Sequence, residues 1–293
     1  MCSSELFLGL FHCFWNVSLT GHKDAAKTVP VPFSRNFITT GSGSTNRMGS
    51  LMVSFTLIEG RLLRRYKRFL ADCEVPEHGV VTAHCPNTGS MKTLVDGEPT
   101  AWLRHVPDPK RKLPWTLTLL KVRRGKRALV DTSLPNQIVA DGILDGIVTG
   151  LGDFEQLHRE ISVGEGTRLD IVLGGTERPD ESSGETFIEV KNVTMLSSMD
   201  GDRADFPDSV TLRGRKHLEV LTRLSSSGKR AVLFLLLGRT DCNKVGFAEQ
   251  IDPAYCDALR VAVAAGVEII SHRVKIRAGN FTLGEAVPVE LPD

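Results

Sequence analysis

Two carboxylates and an amine in the second half of the sequence are the residues best suited to chemistry. Glu189 and Lys191 lie two positions apart in a strand-like stretch. Residues two apart in a β-strand point to the same side, so these side chains would emerge together while Ile188 and Val190 face the core. Asp170 lies in an earlier strand-like stretch, with 18 residues between it and Glu189. A hairpin-like connection would bring the two acids together.

This pattern predicts a divalent-metal centre. Two adjacent carboxylates repel when both are ionised, and a hard cation such as Mg²⁺ or Mn²⁺ relieves that repulsion. We predict Asp170, Glu189 and the preceding acid Glu160 as metal ligands. Lys191 would orient the attacking water, which makes Asp170, Glu189 and Lys191 the predicted catalytic residues for metal-assisted phosphodiester cleavage. The spacing is only moderately specific, because surface strands also carry E-x-K as a solvated pair.

A basic helix face follows these strands. Arg213, Lys216 and His217 are spaced i, i+3 and i+4, so they share one side of a predicted helix. A cationic face beside carboxylates suits a substrate with anionic oxygens. The alternative is an ordinary amphipathic helix with solvated cations and with His217 at the edge of the core.

The elements that would position these residues form an alternating pattern. Asp252 and Pro253 have the types expected at the N-cap and first turn of the last helix, which would run to residue 265. Helix, three strands, helix, strand, helix and strand in succession predict an α/β domain over 128–293. The predicted helices are 136–148, 209–225 and 253–265, and the predicted strands are 160–163, 168–173, 186–193, 231–237 and 267–274.

Residues 51–127 have a different pattern, with five short strands separated by turn residues and little helical periodicity. A small β-barrel is predicted, of which an OB-like barrel is one option. The loop at 84–91 has the composition of a tight turn, and it is either a phosphate-contacting loop or a hairpin. The predicted strands are 53–58, 68–75, 80–85, 101–106 and 115–120.

Charge is distributed unevenly along the chain. Residues 51–127 hold 15 lysines and arginines against 7 acids, whereas residues 128–293 hold 17 against 26, although the whole chain carries only +1. This asymmetry favours a nucleic-acid partner. No base-reading motif is present, so we predict non-specific DNA binding, to single or double strands, through phosphate contacts. The barrel residues predicted to bind are Arg64, Arg65, Lys67, Arg68, Lys110, Arg111 and Lys112.

Other classes of function receive little support. The six cysteines match no zinc-site spacing, and no dinucleotide fingerprint or serine-nucleophile motif is present. The apolar stretch at 6–17 is too short to span a bilayer, so no membrane partner is predicted, and an oligomer is left open. Residues 1–50 suggest either an organelle transit peptide or a start at Met48 or Met52. The expected location is otherwise intracellular and cytoplasmic.

Several of these stretches together carry a family resemblance. The chain resembles the sugar fermentation stimulation protein A family over about residues 53–276, through seven segments in matching order. Leu212 departs from the family, which often has a charged residue there. The matching segments are 65–72, 84–91, 110–112, 168–170, 188–194, 206–208 and 213–218.

The resemblance implies an N-terminal OB-like barrel followed by a PD-(D/E)xK nuclease-like domain with a mixed sheet. It also implies non-specific DNA binding and a regulatory role in maltose and other sugar metabolism. Asp170, Glu189 and Lys191 fall on the nuclease-like motif of that family, with Glu160 as its preceding acid.

Overall fold

The computed structural model describes residues 53–164, 166–175 and 186–292. Residues 48–293 form one compact unit. Residues 1–50, predicted as a transit peptide or as lying before the true start, lie outside the described residues. Within the described part, the strands are β1 (Val53–Ser54), β2 (Ile58–Tyr66), β3 (Leu70–Val75), β4 (Gly79–His84), β5 (Thr100–His105), β6 (Trp115–Lys121), β7 (Arg127–Leu129), β8 (Gln156–Ser162), β9 (Arg168–Gly174), β10 (Thr186–Val193), β11 (Met195–Leu196), β12 (Arg203–Phe206), β13 (Arg230–Leu237), β14 (Lys244–Phe247), β15 (Glu268–Arg277) and β16 (Asn280–Ala286).

Strands β2 to β6 close into a five-stranded barrel. Their order is β4-β3-β2-β5-β6, and β6 returns to pair with β4 in parallel, which removes the open edges. Inward-facing apolar side chains such as Leu62, Leu103 and Leu117 are buried in its centre. The predicted barrel is therefore confirmed, and the apolar alternation along its strands is the reason it could be predicted.

The second half of the chain is built on a mixed seven-stranded sheet in the order β1-β16-β15-β13-β10-β9-β8. The central strands β10, β13 and β15 are parallel, and the outer pairs are antiparallel. Strand β1, at the start of the described chain, pairs with β16 in this sheet and not with the barrel. A short sheet, β11-β12-β14, extends from the connection that follows β10.

Helices cover both faces of the large sheet, and each face has its own core. One core contains apolar residues of α1 with Ile188, Val232 and Phe234, and the other contains residues of α2 and α3 with Phe187 and Leu233. Successive residues of β10 and β13 thus alternate between the two cores, as expected for a sheet buried on both sides. The helices are α1 (Pro135–Leu144), α2 (Leu212–Ser226) and α3 (Pro253–Ala264).

The local sequence pattern is sufficient to predict some elements of the sheet domain. The strand at 186–193 and the last helix are confirmed, and the side chain of Asp252 accepts the hydrogen bond from the backbone N–H of Tyr255 as an N-cap. The helix predicted to reach residue 148 ends at Leu144. The longest barrel strand, β2, is absent from the predicted strands. Its exposed arginines obscure the alternation of apolar and polar residues that indicates a strand.

A buried ion pair fixes the barrel against the sheet domain. Arg239 is 1% exposed and donates to both carboxylate oxygens of Asp241, at 2.8 and 2.9 Å. The same guanidinium donates to the carbonyl of Thr194 at 2.7 Å and to the hydroxyl of Thr93, which lies in the barrel, at 3.3 Å. Arg123, also in the barrel, reaches Asp241 at 3.0 Å. A single buried carboxylate therefore receives cations from both parts of the chain.

We predict that Arg239→Ala lowers the free energy of unfolding by about 3 kcal/mol, because it leaves Asp241 buried with only Arg123 as a partner. Urea unfolding followed by circular dichroism measures this loss. The matched control is Arg61→Ala, whose guanidinium is half exposed in its pairs with Glu74 and Glu98. That variant should lose less than about 1 kcal/mol. Equal losses in the two variants would contradict the proposed role of the buried pair.

Candidate metal and nucleic-acid site

The predicted acids lie where three strands of the large sheet run side by side. Residues paired between β8 and β9 place Glu160 across from Asp170, since Arg159 faces Ile171 and Ile161 faces Leu169. The ladder between β9 and β10 ends at the pair Ile171–Ile188, one position before Asp170 and Glu189 would meet. The site therefore opens at the point where β9 and β10 separate.

Asp170 is held in this opening by two hydrogen bonds. The backbone N–H of Val190 donates to its Oδ2 at 2.8 Å, and the side-chain amide of Asn136 donates to its Oδ1 at 2.7 Å. Burial, together with the negative charge of Glu189, raises the pKa of Asp170 to about 7, although Lys191 and both hydrogen bonds oppose the rise. Near neutral pH, the carboxyl group of Asp170 is therefore poised between its protonated and ionised forms.

Glu189 has the opposite electrostatic character. Its burial by itself would raise the pKa, but Lys191 and His217 outweigh that effect and lower it. Both partners contact the same oxygen, Oε1. The other oxygen, Oε2, is buried and has no hydrogen-bond partner in the described structure. Glu189 thus stays ionised and presents one carboxylate oxygen without a partner.

Helix α2 supplies the second partner of Glu189. Thr211 caps this helix by accepting the backbone N–H of Gly214 at 3.0 Å, which sets where its first turn begins. His217 is 6% exposed and places its Nδ1 against Glu189, while Arg213 donates from Nε to its Nε2 at 3.4 Å. His217, predicted either to contact nucleic acid or to lie at the edge of the core, is a buried link between Arg213 and Glu189.

Asn136, at the start of α1, is the residue that sequence reasoning missed. Its Nδ2 donates to Asp170 and also lies 3.4 Å from Oε1 of Glu160. The amide thus stands between the two carboxylates. Only its place in the first turn of a predicted helix could have indicated this position, because a lone asparagine there ordinarily has a local role in the helix terminus.

The carboxylate oxygens of this site fit a divalent cation that is held by two protein carboxylates. Within residues 53–164, 166–175 and 186–292, no three acidic, histidine or cysteine side chains form a ready-made metal site. Mg²⁺ commonly uses one or two carboxylates and keeps several waters. The two suitable ligands are Oε2 of Glu189, which has no hydrogen-bond partner in the described structure, and the carboxyl of Asp170, whose pKa is raised. Glu160 is exposed and belongs to the outer strand.

A cleft between the barrel and the sheet domain, with a volume of about 540 Å³, is lined by Asn136, Val190 and Lys191, which contact the two acids. Two loops close one side of it, since Ser90 donates to the carbonyl of Asp208 at 2.6 Å and the carboxylate of Asp208 accepts the N–H of Met91 at 3.0 Å. A Cβ at Gly89 would lie 2.6 Å from that carboxylate, so the close approach requires glycine. The cations lining this cleft are Arg68, Lys191 and Arg213.

The predicted barrel cations differ in their availability. Lys67 and Arg68 are exposed at the turn between β2 and β3, whereas one nitrogen of Arg65, Nη2, donates to the carbonyls of Arg68, Asn87 and Gly89 at 2.8 to 2.9 Å. Arg65 is therefore a structural residue of the 84–91 loop.

The remaining predicted cations lie on separate parts of the barrel and on α2. Arg64 pairs with Asp72 at 2.7 Å, and Arg111 donates to Thr116 at 2.8 Å. Lys110, Lys112 and Lys216 are exposed. The available cations thus lie on both structural halves.

Known sequences identify the two halves of the chain. A family profile described as "SfsA N-terminal OB domain" matches residues 63–130, and one described as "Sugar fermentation stimulation protein RE domain" matches residues 133–280. The chain belongs to the sugar fermentation stimulation protein family. A homolog from Marinomonas sp. is 41% identical over 236 residues, covering 80% of this chain and 89% of the relative. One from Pseudomonas putida is 42% identical over 236 residues, covering 80% and 97%.

A solved structure supports the same assignment. SfsA of Pyrococcus furiosus, determined in complex with Ca²⁺, superposes with a TM-score of 0.71 at 26% identity, covering 83% of this chain and 99% of that one. The predicted fold class, an OB-like barrel followed by a mixed-sheet domain, is thereby confirmed. None of the helices in the described ranges is long and apolar enough to cross a membrane.

The raised pKa of Asp170 predicts a pH-dependent stability in metal-free protein. The native carboxyl keeps its proton up to about pH 7, whereas the unfolded chain releases it near 3.8, so stability falls as pH rises between these values. Asp170→Asn removes the ionisable group, so the variant should not show this fall in stability with pH. The variant should be more stable than wild type at pH 8, by at most about 4 kcal/mol, and the difference should vanish near pH 4.

Urea unfolding at pH 4, 6 and 8 in EDTA measures this difference. Asp257→Asn is the matched control, because the Asp257 carboxylate is 76% exposed on α3 and its substitution should have little effect at any of these pH values. A stability difference for Asp170→Asn that does not change with pH would contradict the assigned pKa.

Proposed function

We propose that this protein binds nucleic acid, with DNA as the main partner, without sequence preference, in the cleft between its barrel and its sheet domain. The observation that carries this proposal is that cations from both halves, Arg68 and the pair Lys191 and Arg213, line one cleft. Asp170 and Glu189 are bonded to residues that line it, namely Asn136, Val190 and Lys191. Cations arranged in this way neutralise phosphates and release counterions, which gives affinity independent of sequence. A role in regulating maltose and other sugar metabolism, implied by the family resemblance, would depend on such binding.

The second candidate function is hydrolysis of phosphodiesters at the same site. It is favoured by the contact of Lys191 with Glu189 beside Asp170, and by the unpartnered Oε2 of Glu189. Asp170 and Glu189 would hold a divalent cation, and Mg²⁺, Mn²⁺ and the Ca²⁺ found with the Pyrococcus furiosus relative are the ions to test. When bound, such a cation supplies Lewis-acid stabilisation of charge on the phosphate.

The protein's own groups have separable parts in that reaction. The ammonium of Lys191 is positioned to orient water and to stabilise negative charge that develops on the phosphate oxygens. His217 and Lys191 hold Glu189 ionised and fix one of its oxygens, so the other faces the site. Arg213 lines the cleft and contacts His217, which connects phosphate binding on α2 to the position of Glu189.

We predict that Mg²⁺, Mn²⁺ or Ca²⁺ raises the melting temperature of the wild-type protein at pH 8, because a ligand that binds the native state stabilises it. The increase should be lost in Asp170→Asn and Glu189→Gln and kept in Asp257→Asn. In parallel, labelled single- and double-stranded DNA is incubated with Mg²⁺ or Mn²⁺ and wild-type protein, Asp170→Asn or Lys191→Met. Cutting by the wild type alone would establish hydrolysis. Metal binding without cutting would leave the binding function as the sole activity.

We predict further that DNA affinity falls steeply with salt and that cations at the cleft contribute to the slope. Arg68→Asn removes a charge from the cleft lining while keeping a residue that tolerates the positive φ of 63° at the β2–β3 turn. This variant and Arg213→Ala should each weaken binding and make the slope shallower by roughly 1. Arg277→Ala, an exposed cation that does not line the cleft, is the control. An affinity independent of salt would overturn the proposal.

A further inference from the structure

Two large apolar side chains stand exposed in the wall of the cleft. Val210 is 65% exposed and Leu212 is 68% exposed, and both line the cleft beside Arg213. Single exposed apolar residues are common on protein surfaces and need no explanation. Two at the entrance of a cationic site are different, because phosphate contacts gain nothing from them.

A third exposed apolar side chain lies at the turn that carries Lys67 and Arg68. Phe69 is 47% exposed and lies in the turn directly before β3. Its neighbours Lys67 and Arg68 both have positive φ, at 49° and 63°, a conformation that residues with side chains rarely adopt. The turn therefore displays two cations and an aromatic ring together.

The backbone of this turn is held firmly. The carbonyl of Phe69 accepts the N–H of Cys85 at 2.8 Å, and the carbonyl of Arg68 accepts from Arg65 at 2.8 Å. Arg68 in turn donates to the carbonyl of Thr88 at 2.9 Å. Exposed side chains on a fixed backbone lose little further freedom on binding, so they suit recognition.

We infer that the cleft takes single-stranded nucleic acid, with unpaired bases against Val210 and Leu212 in the cleft and against Phe69 at the adjoining turn, next to the cleft residue Arg68, and with phosphates against the adjacent cations. In a duplex the faces of the bases are stacked and inaccessible, whereas every unpaired base offers a face to an aromatic or apolar side chain. The volume of about 540 Å³ is in the range of sites for small ligands, which suits a single nucleotide unit. This inference rests on the proposed nucleic-acid binding and specifies its substrate.

The test compares the affinity of the full chain for a labelled 20-nucleotide single strand, the matching blunt duplex and the same duplex with a single-stranded tail, at one salt concentration. The wild type should bind the single strand and the tailed duplex at least about fivefold more tightly than the blunt duplex. Phe69→Ala and Leu212→Ala should each lose about fivefold or more of the single-strand affinity and leave duplex affinity unchanged. Phe69→Trp should keep it, because a larger ring still stacks.

Two further variants make the result interpretable. Val261 is a similarly exposed apolar residue, but it lies on α3 and does not line the cleft. The control variant Val261→Ala should therefore bind nucleic acid like the wild type. Leu212→Lys should reduce the ratio of single-strand to duplex affinity, because it replaces a contact with a base by a contact with a phosphate. Thermal unfolding of each variant confirms that the fold is retained.

The outcomes separate the inference from the function on which it rests. Failure to bind any of the three nucleic acids would overturn both. Equal affinity for the single strand and the blunt duplex, with Phe69→Ala and Leu212→Ala unchanged, would overturn the single-strand inference and leave nucleic-acid binding standing. If these variants instead dissociate a dimer in sedimentation without changing DNA affinity, a second copy of the chain covers the patch and the inference is wrong.

Discussion

The charge of Glu189 organises the centre, because a carboxylate that is 1% exposed must be compensated inside the protein. Lys191, two residues along the same strand, provides part of this compensation, and His217 from α2 provides the rest. The neighbouring acid Asp170 receives only backbone and amide hydrogen bonds, so it retains a proton to a much higher pH. The pKa of Asp170 is therefore raised and that of Glu189 lowered, because the two interacting acids have different surroundings.

The cleft depends on the fixed docking of the barrel on the sheet domain. The two loops joined at Asp208 form one side of it, and the buried pair of Arg239 and Asp241 lies deeper in the same boundary. Because Arg239 also reaches Thr93, this pair couples the position of the barrel loops to the strands that carry the acids. The cations of the barrel are therefore held at a constant position relative to Glu189 and Asp170.

The sequence permitted correct prediction of the barrel and of three helices and five strands of the second half in their order, since buried strands and amphipathic helices have distinct periodicities. Strands β11, β12, β14 and β16 were not predicted. It also predicted that Glu189 and Lys191 emerge together, because a two-residue period follows from strand geometry alone. The roles of Asn136 and His217 could not be predicted. Each depends on how a helix packs against a distant strand, and no local pattern records that packing. Burial was equally inaccessible, which is why the sequence could not decide between a nucleic-acid contact and the edge of the core for His217.

Arg65 illustrates how a basic motif can be misread by charge alone. Its guanidinium joins the β2–β3 turn to the loop at 84–91 through three carbonyl oxygens, one of which belongs to Gly89 beside Asp208. Replacing it with alanine would release both the turn and one side of the cleft. A scan that ranks residues by lost DNA affinity would then score Arg65 highly for its part in loop architecture. Affinity lost in this way should respond little to ionic strength, which distinguishes a scaffold residue from a phosphate ligand.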